Sequence, residues 1–283
     1  MNQTTRSAQA TYSTQSEGPV RRTGVIGLGA MGLQMARHMA AKGFIVVGSD
    51  IDTQAMGRAQ AQGIRTASAA EVADHAEAIV VMVATDAQVQ EVTQQALQRL
   101  AAGAVICIAS TVSPETCRAL AAAAAERGIG VLDTPVVLGQ AAADNGTLTI
   151  YVGGDARAFA RAQPVLAAFG TKVMHLGASG AGQIAKTINN MLLWACMSAN
   201  FEVLTLAKQL GVDVPRLVEA LGHGSGANWS LSCWGQSTGK WAAKDMDVAL
   251  DVAQDAKVPV PLAALVDQLM KSINQDRMKA LLA

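Results

Sequence analysis

Two groups of residues have the types and spacing that chemistry requires. The first is Gly27-Leu28-Gly29-Ala30-Met31-Gly32, a GxGxxG run that follows a short β-branched segment and leads straight into a helical one. In such a turn the first glycine permits the reversal, the second lets backbone N–H groups approach a ligand, and the third lets helix and strand pack closely. The helix start then offers unpaired N–H groups and its dipole to negative charge, so Gly27 to Gly32 reads as a pyrophosphate cradle. Asp50 lies 23 residues after Gly27 at the end of the next apolar run, where an acid accepts hydrogen bonds from a dinucleotide's ribose hydroxyls. A carboxylate there repels a 2′-phosphate, and no Arg or Lys occurs from 43 to 57, so the pattern favours NAD over NADP. Asp52 reads instead as the cap of the next helix.

The second group is Lys186 with Asn190. Between Lys172 and Lys208 the only other basic side chain is His175 and the only acid is Glu202. A helix this poor in charge is mostly buried. Lys186 and Asn190 are four apart, on one face, just after the Gly-rich entry 177–182. Partial burial would lower the lysine's pKa toward the working range of a general acid/base.

These residues need elements to hold them. Strand signals fall at 24–27, 45–50, 78–83, 105–108, 130–133 and 148–152, with helical stretches at 31–42, 53–62, 86–100 and 114–127. A helix at 156–169 and a strand at 172–175 follow. Strand and helix alternating, with near-continuous apolar strands, predict an α/β fold with a doubly wound, Rossmann-type parallel sheet. From 183 to 210 no Gly or Pro interrupts a helix about 40 Å long. Segments 215–221, 243–257 and 261–282 also read as helices. The expected organisation is a disordered Gln/Ser/Thr-rich tail over 1–20, a dinucleotide-binding domain over 21–182, and an all-helical substrate and dimerisation domain over 183–283. A cleft is expected where the long helix leaves the first domain.

Composition removes other classes. The 283 residues carry 22 Lys+Arg against 22 Asp+Glu, so no net field exists to hold nucleic acid or an anionic membrane. No run reaches the roughly 18 to 20 apolar residues of a membrane span. The four Cys are scattered without CxxC, which fits reduced thiols in a cytoplasmic protein, and the four His show no metal-ligand spacing. All four Trp lie beyond position 193, three of them in 229–241. The long apolar helix needs more cover than a short helical domain provides, which predicts a homodimer or homotetramer.

Four motifs resemble the β-hydroxyacid dehydrogenases, the 3-hydroxyisobutyrate dehydrogenase-like family, over about residues 22–283. They are the stretch from Gly27 to Ala36; Asp133-Thr134-Pro135-Val136 with 142–148 and 152–154; Gly180 through Lys186 to Asn190; and Lys244-Asp245 to Leu250. The resemblance implies an NAD(P)-dependent oxidoreductase acting on a small-molecule substrate. Lys186 would exchange the proton with the substrate oxygen and Asn190 would hold the substrate beside it. Ser110-Thr111 would lie near the nicotinamide ribose, and Lys244 would reach the cofactor from the helical domain.

The chain also departs from that pattern. Where the family has Ser-Gly-Gly for a substrate carboxylate, this sequence has Val137-Leu138-Gly139, which suggests a less polar acyl or aldehyde end. Ile108 replaces a usual Asp, without a functional account. The stretch from Trp229 to Lys244 is shorter than in the family, so Trp229, Trp234 and Trp241 either refill the space over the substrate or leave the cleft open. The expected activity is hydride transfer between NAD and a small 3-hydroxyacid or its semialdehyde. The alternatives are reduction of a C=N bond, or a catalytically inactive NAD(P)-binding protein.

Overall fold

A computed structural model describes residues 18–237 and 239–283. The β-branched runs form β1 (Arg22–Ile26), β2 (Ile45–Ser49), the two-residue β3 (Arg65–Thr66), β4 (Ala78–Val81), β5 (Val105–Ile108) and β6 (Gly130–Asp133). They pair in the order β3-β2-β1-β4-β5-β6, all parallel. The connecting helices are α1 (Ala30–Ala41), α2 (Thr53–Ala61), α3 (Ala69–His75), α4 (Asp86–Leu97) and α5 (Pro114–Ala125). Alternate residues of each strand enter different cores. Val25, Val80, Val105 and Cys107 pack on one face, and Ile26, Ile79, Ile106 and Ile108 on the other. Both faces are therefore covered, which is why the strands read as unbroken apolar runs. The expected doubly wound sheet is present.

The sheet then changes direction. After β6 come β7 (Val136–Val137), α6 (Gly139–Asp144), β8 (Leu148–Gly153), α7 (Ala156–Leu166) and β9 (Gly170–Gly177). β8 runs antiparallel to β6 and β7 and parallel to β9. The helix expected over 156–169 stops at Leu166, and the last strand is longer than 172–175. β3, α3, β7 and α6 are short elements that periodicity did not reveal. For α3 the signal existed locally, since Ser68 and Glu71 form a reciprocal capping box. Asp52, Thr85, Ser113 and Asp155 likewise accept from first-turn N–H groups of α2, α4, α5 and α7.

Of the tail expected over 1–20, residues 1–17 lie outside the described residues. Its end is corrected: Val20 is buried in the sheet's core, and Arg161 donates to the Gly18 carbonyl.

The chain divides into two compact units between Lys186 and Thr187, inside the long helix α8 (Ala181–Gln209). The second unit continues with α9 (Val214–Leu221), α10 (Trp229–Ser232), α11 (Ala242–Asp255), α12 (Pro261–Met270) and α13 (Gln275–Ala280). The single helix expected over 261–282 is thus two, because the Asn274 side chain accepts from Arg277 N and starts α13 afresh. The core of this unit holds Trp194, Met197, Leu204, Trp234, Met246, Val266 and Met278.

Candidate active site

The glycine turn links β1 to α1, and its three glycines answer to different constraints. Gly27 has φ +97°, and a Cβ there would overlap the Met82 carbonyl. A Cβ on Gly32 would overlap the Gly27 carbonyl oxygen, so that position is set by packing inside the turn. A Cβ on Gly29 would meet nothing within 4 Å. Its smallness therefore serves something outside the protein's own packing. Gly29 is also the N-cap of α1, with no side-chain hydrogen bond, and both Gly29 and Ala30 are exposed. An uncapped helix start beside open space fits a dinucleotide pyrophosphate.

Asp50, just past β2, is bound to this turn. Its Oδ2 accepts from Leu28 N at 2.6 Å and its Oδ1 from Asp52 N at 2.9 Å. Each oxygen keeps a lone pair for a ribose hydroxyl. Asp52 caps α2 through Gln54 N and lies 3.6 Å from the Arg58 guanidinium, one position beyond the cation-free stretch 43–57.

The segment from Val137 to Asp144 lies against the same helix. Gln140 donates to the Ala30 carbonyl at 3.1 Å, and His38 bonds to the Ala143 and Asp144 carbonyls at the far end of α6. The sequence suggested two aliphatic side chains, Val137 and Leu138, at the substrate's acyl end, and the two differ in exposure. Val137 is buried in β7 opposite Thr149, so its side chain has little open surface for a substrate. Leu138 is 39% exposed and caps α6 with φ +82°, a left-handed conformation in a residue with a Cβ. Gly139 follows as the first residue of α6, with open space about it.

The ends of β4, β5 and β6 meet the start of α8. Ser110 is buried, with its hydroxyl accepting from Val83 N and donating to Val83 O, both at 2.8 Å. Asp133, the last residue of β6, has no exposed surface and accepts from Gly180 N at 2.8 Å and Gln183 N at 3.0 Å. A carboxylate capping a helix start this way is favoured by charge and hydrogen bonding together. Gln183, also fully buried, donates to the Ser110 carbonyl at 2.8 Å and accepts from Val112 N at 3.3 Å. Thr111 lies between those two contacts. Lys186 follows three residues after Gln183 and is partly buried; Asn190, one turn on, is buried and accepts from the Asn189 amide. Buried Cys117 also bonds to Gln183. Burial, then the Asp133 and Asp86 carboxylates, push its thiol far above the usual range, against a smaller opposing effect of that bond.

In the helical unit the tryptophans divide. Trp234 is core, touching Phe201 and donating to the Met278 carbonyl, while Trp229 and Trp241 remain about half exposed. Trp241 carries the Lys240 ammonium 4.8 Å from its ring centroid. Trp194 of α8 donates to Asp245 at 3.1 Å and so fixes the first turn of α11, which also carries Lys244. Sequence reasoning gave no role to Gln183, Gln140 or Trp194, whose signal was only a polar group on an apolar element. Asp133 was visible as an acid ending an apolar strand. Among the described residues, no three His, Cys, Asp or Glu side chains could hold a metal ion.

Residues 22–177 match the NAD binding domain of 6-phosphogluconate dehydrogenase, and residues 180–281 match the NAD-binding domain of NADP-dependent 3-hydroxyisobutyrate dehydrogenase. The chain belongs to the β-hydroxyacid dehydrogenase family. Within that family, 3-hydroxyisobutyrate dehydrogenase of Pseudomonas aeruginosa is 35% identical over 265 residues, covering 86% of this chain and 89% of the relative. The NAD-dependent L-serine dehydrogenase of the same organism is 32% identical over 89% of this chain and 92% of its own. Among solved structures, Mycobacterium tuberculosis 3-hydroxyisobutyrate dehydrogenase with L-serine has a TM-score of 0.83 at 26% identity, over 93% of this chain and 99% of that one. The chain is thus a dehydrogenase of this family, with a nicotinamide cofactor.

Proposed function

We propose that this β-hydroxyacid dehydrogenase transfers a hydride between NAD and a small 3-hydroxyacid or its semialdehyde, with Lys186 as general acid/base. The observation that carries the reading is the placement of Lys186. It is partly buried on α8, and the first turn of that helix is hydrogen-bonded to the Ser110–Val112 turn. The bound cofactor supplies the hydride chemistry, and the protein supplies orientation and proton transfer. Gly29, Ala30 and Met31 would face the pyrophosphate, with Leu28 holding Asp50 toward the adenosine ribose, and Ser110-Thr111 would face the nicotinamide ribose. Lys244 is the contribution proposed for the helical unit. Asn190 would hold the substrate oxygen beside Lys186, with Trp229 as a further substrate contact. Any apolar influence on the acyl end is assigned to Leu138, whose side chain is open, and not to buried Val137.

The relatives support the substrate class, since they are named for 3-hydroxyisobutyrate and L-serine. Replacing Lys186 by Ala should lower hydride transfer by about two to four powers of ten while NAD still binds. Full turnover in that variant would refute the acid/base assignment.

A further inference from the structure

The contacts of Gln183 are not those of an ordinary core residue. Its side chain is fully buried, and both polar atoms bond to one short turn: Nε2 donates to Ser110 O and Oε1 accepts from Val112 N. The backbone on either side of Thr111 is thereby clasped. The backbone N–H of Gln183 is held by Asp133, whose other oxygen holds Gly180 N. A Cβ on Gly153 or Gly182 would press into the Asp133 carboxylate, so both glycines leave room for the acid. Ser110 is fixed in turn to the end of β4 through Val83. Lys186 stands three residues on in the same helix, a rise of about 4.5 Å.

We propose that Gln183 is a positioning residue that sets the spacing between the Thr111 turn and Lys186, and thereby the register of cofactor and acid/base. This rests on the roles given above to Thr111 and Lys186. The physical need is strong, because a misplacement of about 1 Å between reacting groups can cost about a hundredfold in rate. A helix carrying only the lysine would let the turn and the acid/base move independently. The amide removes that freedom with two hydrogen bonds shielded from water.

Gln183→Met keeps the volume and removes both bonds. In the ligand-free protein the Val112 amide should then exchange its hydrogen about tenfold faster or more. Turnover should fall by about 30- to 100-fold while the NAD dissociation constant changes by less than about threefold. Unchanged exchange at Val112, or turnover within about threefold of wild type, overturns the proposal. Gln183→Glu provides a second test should the Met variant not fold. Protonated, the new carboxyl donates to Ser110 O as the amide did; ionised, it faces that carbonyl with no hydrogen. Activity relative to wild type should therefore fall as pH rises. Asp133 and Cys117 also lie against this position, and burial together with the neighbouring Asp133 carboxylate raises the pKa of the new acid. A ratio that rises with pH overturns the clasp. Failure of the acid/base assignment is distinguishable, since it appears as undiminished turnover in Lys186→Ala. The Val112 exchange needs neither cofactor nor substrate.

Discussion

Asp50 has two tasks that substitutions can separate. In the proposed function its charge would disfavour a 2′-phosphate, and in the fold its oxygens brace Leu28 N and Asp52 N. Asp50→Asn keeps one carbonyl oxygen and loses the charge, so the NADP-to-NAD ratio of kcat/KM should rise about tenfold or more. Asp50→Ala should weaken both cofactors, since the turn loses its brace. An unchanged ratio in the Asn variant would discredit the ribose assignment. At Leu138 the prediction concerns stability. A left-handed residue with a Cβ costs roughly 1–2 kcal/mol, of which the freedom of glycine in the unfolded chain returns about 0.4–1. Leu138→Gly should therefore stabilise the fold by up to about 1 kcal/mol in denaturant titration. Destabilisation would mean that the Leu138 side chain makes contacts worth more than its strain.

The turn entering α1 shows how far sequence can be read at the scale of an element. The spacing of Gly27, Gly29 and Gly32 announced the turn, but the three are indistinguishable as letters. Only their neighbours divide them, Gly32 against the Gly27 carbonyl and Gly29 against open space. Gly32→Ala should cost about 1–3 kcal/mol of stability through overpacking. Gly29→Ala should cost no more than about 1 kcal/mol, the cap effect, while NAD binding weakens more than about tenfold. If the Gly29 variant bound NAD normally, the open space beside it would not be the pyrophosphate site. α8 tells a similar story. Its length and the lysine in an apolar stretch were legible, whereas Gln183 was one more polar letter whose partners lie 71 to 73 residues away.

At the scale of the molecule, α8 leaves one face unsatisfied. Ile188, Leu192, Val203, Leu206 and Leu210 recur at helical spacing and are each half or more exposed. In the homodimer or homotetramer expected from the sequence, this stripe is the face a second copy would cover. Light scattering at micromolar concentration should show an oligomer, and Leu206→Glu combined with Leu210→Glu should shift it toward monomer. A monomeric wild type would refute the assignment.

The sequence by itself determined the order of the longer strands and helices, the glycine turn, the acid after β2 and the lysine of α8, because periodicity, glycine spacing and charge scarcity are local properties of a chain. Tertiary structure alone decided that Val137 is buried, that Leu138 carries the left-handed turn, that Trp234 is core, and that Asp133 and Gln183 tie α8 to the strand ends. Each of those facts is a contact between segments far apart in the chain. Whether a polar side chain braces, binds or merely caps depends on which distant groups surround it.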